Sequence, residues 1–460
     1  MKKIQLALLS CIAGAVMFTS CSKSSSSVAA KLFQVGQTLS TGKPLCGAIK
    51  GTMKADSTYN VTCPITVNAG DTLLIQQGVT INIMHRTDTP IYISVQGVLV
   101  SAGIKTDPIK FTVPGAVKTD DASVSPSVDS AYIGRWVGIL CDTSCPLLVL
   151  KWTHLEFGGM TYLAAPFPLA QTGKDILFQT PTGTFVMEDS WIYGGVDDPI
   201  RLQGGKVHMM RNTIEKTGPS GGDAFNAKHG TVGVMAYNLF IGCATNGTKA
   251  SDKGTYTGPV CQIDMYNNTY VNCGYRQVQA GRGACINYEQ GAFGQYYNNL
   301  MVNCRFGPRV VPNPAADTAD MHYGYSFQYG DADSIVNQFY PVGYVTHPQT
   351  TDIPSPATLI ANYSAYVLGA TYVGTSQTKM NNPNFVGYTL PAANGYLVTY
   401  TAGNNFHLNT GSPCLGKGYT SWTPFNQVAV STTTPYGATE ITPPGKDIGC
   451  YQADGTGNQH

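Results

Sequence analysis

Four short stretches of this chain, "MRNTIEKTG", "YNLFIGC", "YNNTYVNCG" and "YNNLMVNCR", carry an asparagine followed by an apolar-rich run. They place Asn212, Asn238, Asn268 and Asn299 in equivalent positions, at intervals of 26, 30 and 31 residues. Upstream, "EDSWIYGG" and "WTHLEFGG" fit the same frame with Asp189 and Thr153 at the asparagine position. A period of this size marks a stacked-repeat architecture, in which each repeat can bury its apolar face only against its neighbours. Within each period the segments are short, rich in β-branched and aromatic residues, and broken by glycine, and none sustains the 3.6-residue period of a helix. A coil of three short strands and their turns predicts an all-β chain, a right-handed parallel β-helix solenoid whose coils pair about 4.8 Å apart. The asparagines would then stack in an internal ladder. Cys243, Cys273 and Cys304, five residues further on, would form a column of small inward thiols.

Composition agrees with this. Charged residues make up 12% of the 460, against 51 Gly, 27 Tyr and 27 Pro, which favours a turn-rich β fold. A net charge of +1 gives no reason to expect nucleic acid as a partner. The chain is expected to act as a monomer.

The first residues read as an export signal. Lys2 and Lys3 precede an apolar run from Ile4 to Phe18, then Cys21 and the stretch "SKSSSSVAA". That run is short for a membrane span. Of the 13 cysteines, the 11 beyond Cys11 and Cys21 are an odd number, so a complete disulfide framework is not expected, and Cys141 with Cys145 is the nearest local pair.

Several motifs carry a family resemblance. "CPITVNAGDTLLIQQGVTINI", "PIYISVQGVLVSAGIKTDPIKFTV" and "RWVGILC" resemble the opening coils of exported bacterial β-helix proteins of the pectate-lyase-like superfamily. "NNPNFVG", "NFHLNTGSPCLGKG" and "KDIGCYQ" are similar to that superfamily's closing coil. "FTSC" resembles the lipobox of bacterial lipoproteins, which implies acylation of Cys21 and a location at the cell surface, anchored to the outer membrane by lipid alone; plain secretion is the alternative. The expected organisation is a signal peptide over 1–20, a Ser-rich linker over 21–45, coils over 46–305, a Pro- and Tyr-rich lateral excursion over 306–380 and closing coils over 381–460.

Chemistry is expected on one outward face. Asn226 and Asn287 each lie twelve residues before a ladder asparagine, so "FNAKHGTVG" pairs with "INYEQGAFG" and Lys228 corresponds to Glu289, both pointing to solvent two coils apart. A one-residue slip in "DDPIRLQGG" sends Ile200 and Leu202 inward and Arg201 outward, with Asp198 beside Asp223. Lys228, Asp223, Glu289 and Arg201 are the catalytic candidates, and Asp197, Asp198, His229, Arg276 and Arg282 the binding candidates. Asp198 and Asp223 would offer oxygens to Ca²⁺. Three readings stay open. One is a uronic-acid polysaccharide lyase with a lysine base and an arginine on the substrate carboxylate; another is a glycoside hydrolase using paired carboxylates; the third is a non-catalytic glycan-binding or adhesive surface protein. "NAKHG" resembles the lysine strand of chondroitin and alginate lyases, while "INYEQG" stands where that group carries its arginine strand.

Overall fold

A strand that pairs in parallel with both the preceding and the following repeat must return to its starting point after one full circuit, and the strands of this chain do so throughout. The computed structural model describes residues 32–460 apart from 87–88, 120–124, 163–172, 253–255, 275, 278, 280–281, 306, 311–320, 331–381 and 389–403. Its strands form one sheet of 19 and one of 10, with parallel ladders. Each full coil gives one strand to the smaller sheet and two to the larger, as in Phe225–Lys228, Val232–Ala236 and Leu239–Ile241. This is a parallel β-helix, right-handed as parallel crossovers are. One helical turn, Ser130–Ile133, is the only helix among the described residues, and none there is long and apolar enough to cross a membrane.

The corners explain the repeat. Trp152, Asp189, Arg211, Tyr237, Asn267 and Asn298 all have positive φ, between 45° and 59°. A left-handed residue ends one strand and turns the chain into the next, and the ladder residue follows it directly. Asn212, Asn238 and Asn268 each donate from Nδ2 to Oδ1 of the asparagine one coil on, at 2.9, 3.0 and 3.1 Å. Their backbone N–H groups donate to the same oxygens, and the amides also reach the carbonyls of Met187, Met209 and Met235. The ladder continues at both ends on hydroxyls: Ser190 N–H donates to Asn212, Thr153 N–H to Ser190 Oγ, and Asn299 N–H to Ser326 Oγ.

Asp189 is therefore not a ladder residue. It occupies the left-handed corner one position earlier, where its carboxylate faces out and accepts from Arg211 at 2.7 and 2.8 Å; Ser190 takes the inward place. The predicted cysteine column is present, with Cys243, Cys273 and Cys304 fully buried. Cys141 and Cys145 are free thiols, whereas Cys46 and Cys63 form a disulfide.

Three expected boundaries shift. Arg309–Val310, His322–Gly324 and Phe327–Tyr329 form a further coil inside the stretch read as excursion; Ser326 in place of asparagine hid the repeat. Residues 331–380 and the signal segment with Cys21 lie outside the described residues. The chain before residue 45 is not all linker: Phe33 and Val35 pack on Leu74, Val100, Val149 and Val186, the outward row of the smaller sheet, together with Val428 and Ala438.

Residues 382–388 and 404–460 do not form closing coils. They make only isolated bridges and run as a strap along the corners. Arg211 donates to Thr442 Oγ1, Tyr266 to the carbonyl of Thr442, Asn267 to that of Asp447 and Asn298 to that of Tyr419, at 2.6–2.9 Å. The apolar motifs of this segment supply side chains for the flank (Phe406, Cys414, Ile448, Cys450) rather than a strand ladder.

Asn268 is the middle rung, so Asn268→Leu leaves the Asn238 amide and backbone N–H, the Met235 carbonyl and Asn299 Oδ1 short of a partner. An orphaned buried polar group costs about 1–3 kcal/mol, and urea unfolding should show a loss of at least that size. A loss within error would mean that the ladder contributes nothing to stability.

Candidate functional site

Register builds one outward face. Ile200, Phe225, Thr248 and Ile286 align, as do Leu202, Ala227, Ala250 and Tyr288, and both rows point into the core. Between them Arg201, Asn226, Lys249, Asn287 and Arg309 form an outward row. The next outward row runs through Gln203, Lys228, Ser251 and Glu289. At the strand starts Asp223 follows Asp198, and its N–H donates to Asp198 Oδ1 at 2.8 Å. The one-residue slip inferred for Arg201 is the register observed.

The coil between Lys228 and Glu289 supplies Lys249, Ser251 and Asn246, none of which the twelve-residue spacing finds. Lys249 lies 19 residues before Asn268, because a longer turn separates Asn246–Ser251 from Gln262–Tyr266. The alternation of "GTKAS" was the available signal, with Thr248 and Ala250 in and Lys249 and Ser251 out.

The face is not solvated. Lys228 is only 8% exposed, and Lys249, Asp198, Asp223, Asn226, Asn246 and Asn287 are all buried, so the expectation of a solvent-facing Lys228 is corrected; Glu289 keeps partial exposure. Burial forces pairing. Lys249 pairs with Glu289, Arg201 with Asp198, where its Nε donates at 2.9 Å, and Lys174 with Asp197. Asn226 Nδ2 bridges the two aspartates at 2.9 Å to Asp198 and 3.0 Å to Asp223, and Asn246 Nδ2 donates to Asp223 at 2.6 Å. Lys228 Nζ donates to Ser251 Oγ at 2.8 Å.

These surroundings push the titrations apart. Burial raises the Asp223 carboxyl to about 6, with nearby Lys249 opposing and Asp198 assisting. Burial would also raise Asp198 and Glu289. The Arg201 and Lys174 cations outweigh it at Asp198, and Lys249 outweighs it at Glu289, so both lie below the ordinary range. Lys249 is itself raised, because Asp223 and Glu289 overcome its burial. Lys228 goes the other way: burial and then the Lys249 and Arg201 cations lower it to about 8.

The remaining candidates divide. His229 sits at a left-handed corner with φ 55°, immediately after Lys228, and its ring stacks on Tyr256 at 4.7 Å and 18°. Arg282 is exposed, within electrostatic reach of Glu289. Arg276 is corrected from a ligand-binding to a structural role: its guanidinium donates to the carbonyls of Gly218, Thr217 and Gly242 and lies over the Tyr132 ring at 5.0 Å.

Asp198 and Asp223 do not fit a calcium ion. Such an ion takes six to eight oxygens, whereas these carboxylates are met by the amides of Asn226 and Asn246 and by the Arg201 guanidinium, and no metal-holding group of His, Cys, Asp or Glu exists among the described residues. What the face does leave open is acceptors. The side-chain oxygens of Asn226, Asn246 and Asn287 are buried without a hydrogen-bond partner, an arrangement that suits hydroxyl donors.

No protein-family model matches the chain, and no curated protein matches it. Among solved structures it is similar to the crystal structure of pectate lyase Pel9A, at 13% identity and a TM-score of 0.25, over 84% of this chain and 88% of that one. The β-helix assignment stands on the strand register described above and does not depend on that likeness.

The two lysines should respond oppositely to removal of charge. Lys249→Met strips Asp223 and Glu289 of their cation and should destabilise by about 3 kcal/mol. The lowered Lys228 pKa means that the unfolded chain binds its proton more tightly. Protonation of Lys228 therefore costs stability below about pH 8, and stability recovers as pH rises from there towards the unfolded value. Lys228→Met should leave stability unchanged or raise it by about 1–2 kcal/mol at pH 7. Urea titrations of both variants decide it; equal losses would contradict the charge map.

Proposed function

We propose that this face binds an acidic polysaccharide and cleaves it by β-elimination, with Lys228 as the base. The observation that carries the reading is Lys228 itself: a buried amine held on Ser251 Oγ, flanked by two cations that favour its neutral form at mildly alkaline pH. Abstracting the proton beside a uronate carboxylate builds negative charge on that carboxylate, and cations placed there lower the barrier. Arg201 is partly exposed and spends Nε and Nη2 on Asp198, so the donors on Nη1 lie outside that pair. Lys249 adds a second positive charge two coils on from Arg201 and one on from Lys228. In the step, the C5–H bond breaks, its proton goes to Lys228 Nζ, a C4–C5 double bond forms, the C4–O bond breaks and the departing oxygen takes a proton from water. The open amide oxygens of Asn226, Asn246 and Asn287 would receive sugar hydroxyls, and the His229–Tyr256 stack offers a ring face beside them.

A hydrolase is less well supported, because Asp198 and Asp223 are tied into one network by Asn226 instead of flanking a cleft. The non-catalytic binder uses the same acceptors and rings without the base. Incubation with uronic-acid and neutral glycans, with and without Ca²⁺, separates all three: unsaturated ends are expected, reducing ends alone would indicate hydrolysis, and binding without products a glycan-binding protein. Lys228→Ala should lower turnover on the order of 10²- to 10⁴-fold with the fold intact. Because the base works deprotonated, the wild-type rate should rise with pH and level off above about 8. A Lys228→Ala variant as active as wild type would end the lyase reading.

The cell-surface location is part of the same proposal. Acyl chains on Cys21, rather than a spanning helix, would hold the protein on the outer membrane. Cys21→Ser should therefore move it from the membrane to the soluble fraction; retention would refute the lipid anchor.

A further inference from the structure

A second site of different chemistry lies under the strap, on a different face of the coils from Lys228. There the strap leaves a cavity of about 170 Å³ against the third strand of the coil, lined by Thr213, Asn405, Phe406, His407, Tyr451 and His460 among others. Its size is comparable with the ~150 Å³ cavity known to hold a benzene ring. Two of its polar atoms are buried without a hydrogen-bond partner, Thr213 Oγ1 and His460 Nε2. Thr213 is only 1% exposed, and a hydroxyl so placed carries a desolvation penalty unless something in the cavity bonds to it. A third polar atom follows from tautomer logic. The backbone N–H of His407 and its Nδ1 both meet Asn405 Oδ1, at 3.0 and 2.8 Å. That oxygen only accepts, so Nδ1 carries the ring proton and Nε2 is left as an acceptor.

Aromatic surface completes the set. The His407 ring packs on Tyr451 at 4.2 Å, and the His460 ring lies 5.4 Å from Trp152 and 5.7 Å from Trp191. No lysine, arginine, aspartate or glutamate side chain lines the cavity, and the main-chain oxygen of His460 accepts from the Tyr451 hydroxyl at 2.9 Å. Both imidazoles are held towards their neutral forms by burial. An anionic ligand would find no counter-charge among these side chains and would be penalised, whereas a neutral ring with hydroxyls on its rim meets rings and unfilled polar atoms together.

We infer that this cavity is a binding site for one neutral sugar unit, contacted by Thr213 Oγ1, His407 Nε2 and His460 Nε2. It does not depend on the lyase reading. The cation-rich face would take acidic units, and this site a neutral branch or chain end.

The test uses the intact protein. Trp152 and Trp191 border His460, so tryptophan fluorescence reports on the site, with calorimetry as a second readout. Methyl glycosides of neutral hexoses should give a saturable change, and glucuronate and glycerol should not. Thr213→Val removes the orphaned hydroxyl at constant shape. It should melt at or above the wild-type temperature and bind the neutral glycoside about fivefold to tenfold more weakly, the worth of one hydrogen bond. His407→Gln should weaken it similarly. A water-filled cavity would give no saturable signal with any sugar, and a non-specific polyol site would take glycerol as well. Either result, or equal binding of glucuronate, or a Thr213→Val variant that binds as wild type does, overturns the inference.

Discussion

The asparagine ladder is the constraint on which the other features rest. Each coil corner places a left-handed residue next to an inward polar one, and backbone N–H groups at those corners have no strand partner of their own. Asn212, Asn238, Asn268 and Asn299 supply the missing acceptor from one coil to the next, while the amides of the first three donate to the oxygen of the next rung and all four reach a carbonyl at the same corner of the preceding coil. Because a coil is closed only by its neighbours, a shift at one rung would turn every following strand inside out. The outward rows that gather Arg201, Lys249 and Lys228 exist because this column holds the register.

The corner also determines what lies outside. The residue that makes the turn is thrown outward, and the strap is fastened by these outward side chains: Arg211, Asn267 and Asn298 each bond to it. One device thus organises the interior and attaches the segment that covers the flank, including the apolar outward row Leu74, Val100, Val149 and Val186. Without such a cover that row would be an exposed hydrophobic strip.

On the candidate face, burial converts an ordinary mixture of charges into groups with distinct roles. The same loss of water lowers Lys228, raises Asp223 and forces Lys249 onto Glu289. In an aqueous groove these charges would be screened and nearly independent. Here each charge is defined by its neighbours, which is the condition under which a lysine can serve as a base near neutral pH.

The sequence by itself determined the coil, the inward asparagine and cysteine columns, and the alternation that puts Lys228, Glu289 and Arg201 on one face. These follow from periods of two residues along a strand and of one coil along the chain, and local composition records both. It misplaced Asp189 by one position, since a corner residue and a ladder residue are adjacent and both polar. It passed over Lys249, since a longer turn broke the spacing. It read the strap as strands, since side chains that pack on a flank are as apolar as those inside a coil. Only the tertiary structure decided that Lys228 is buried, that Arg276 is committed to backbone carbonyls, and that Thr213 and His460 meet across a cavity. Burial and encounter depend on which surfaces cover one another, and that is a property of the assembled coils and strap that no single stretch of the chain encodes.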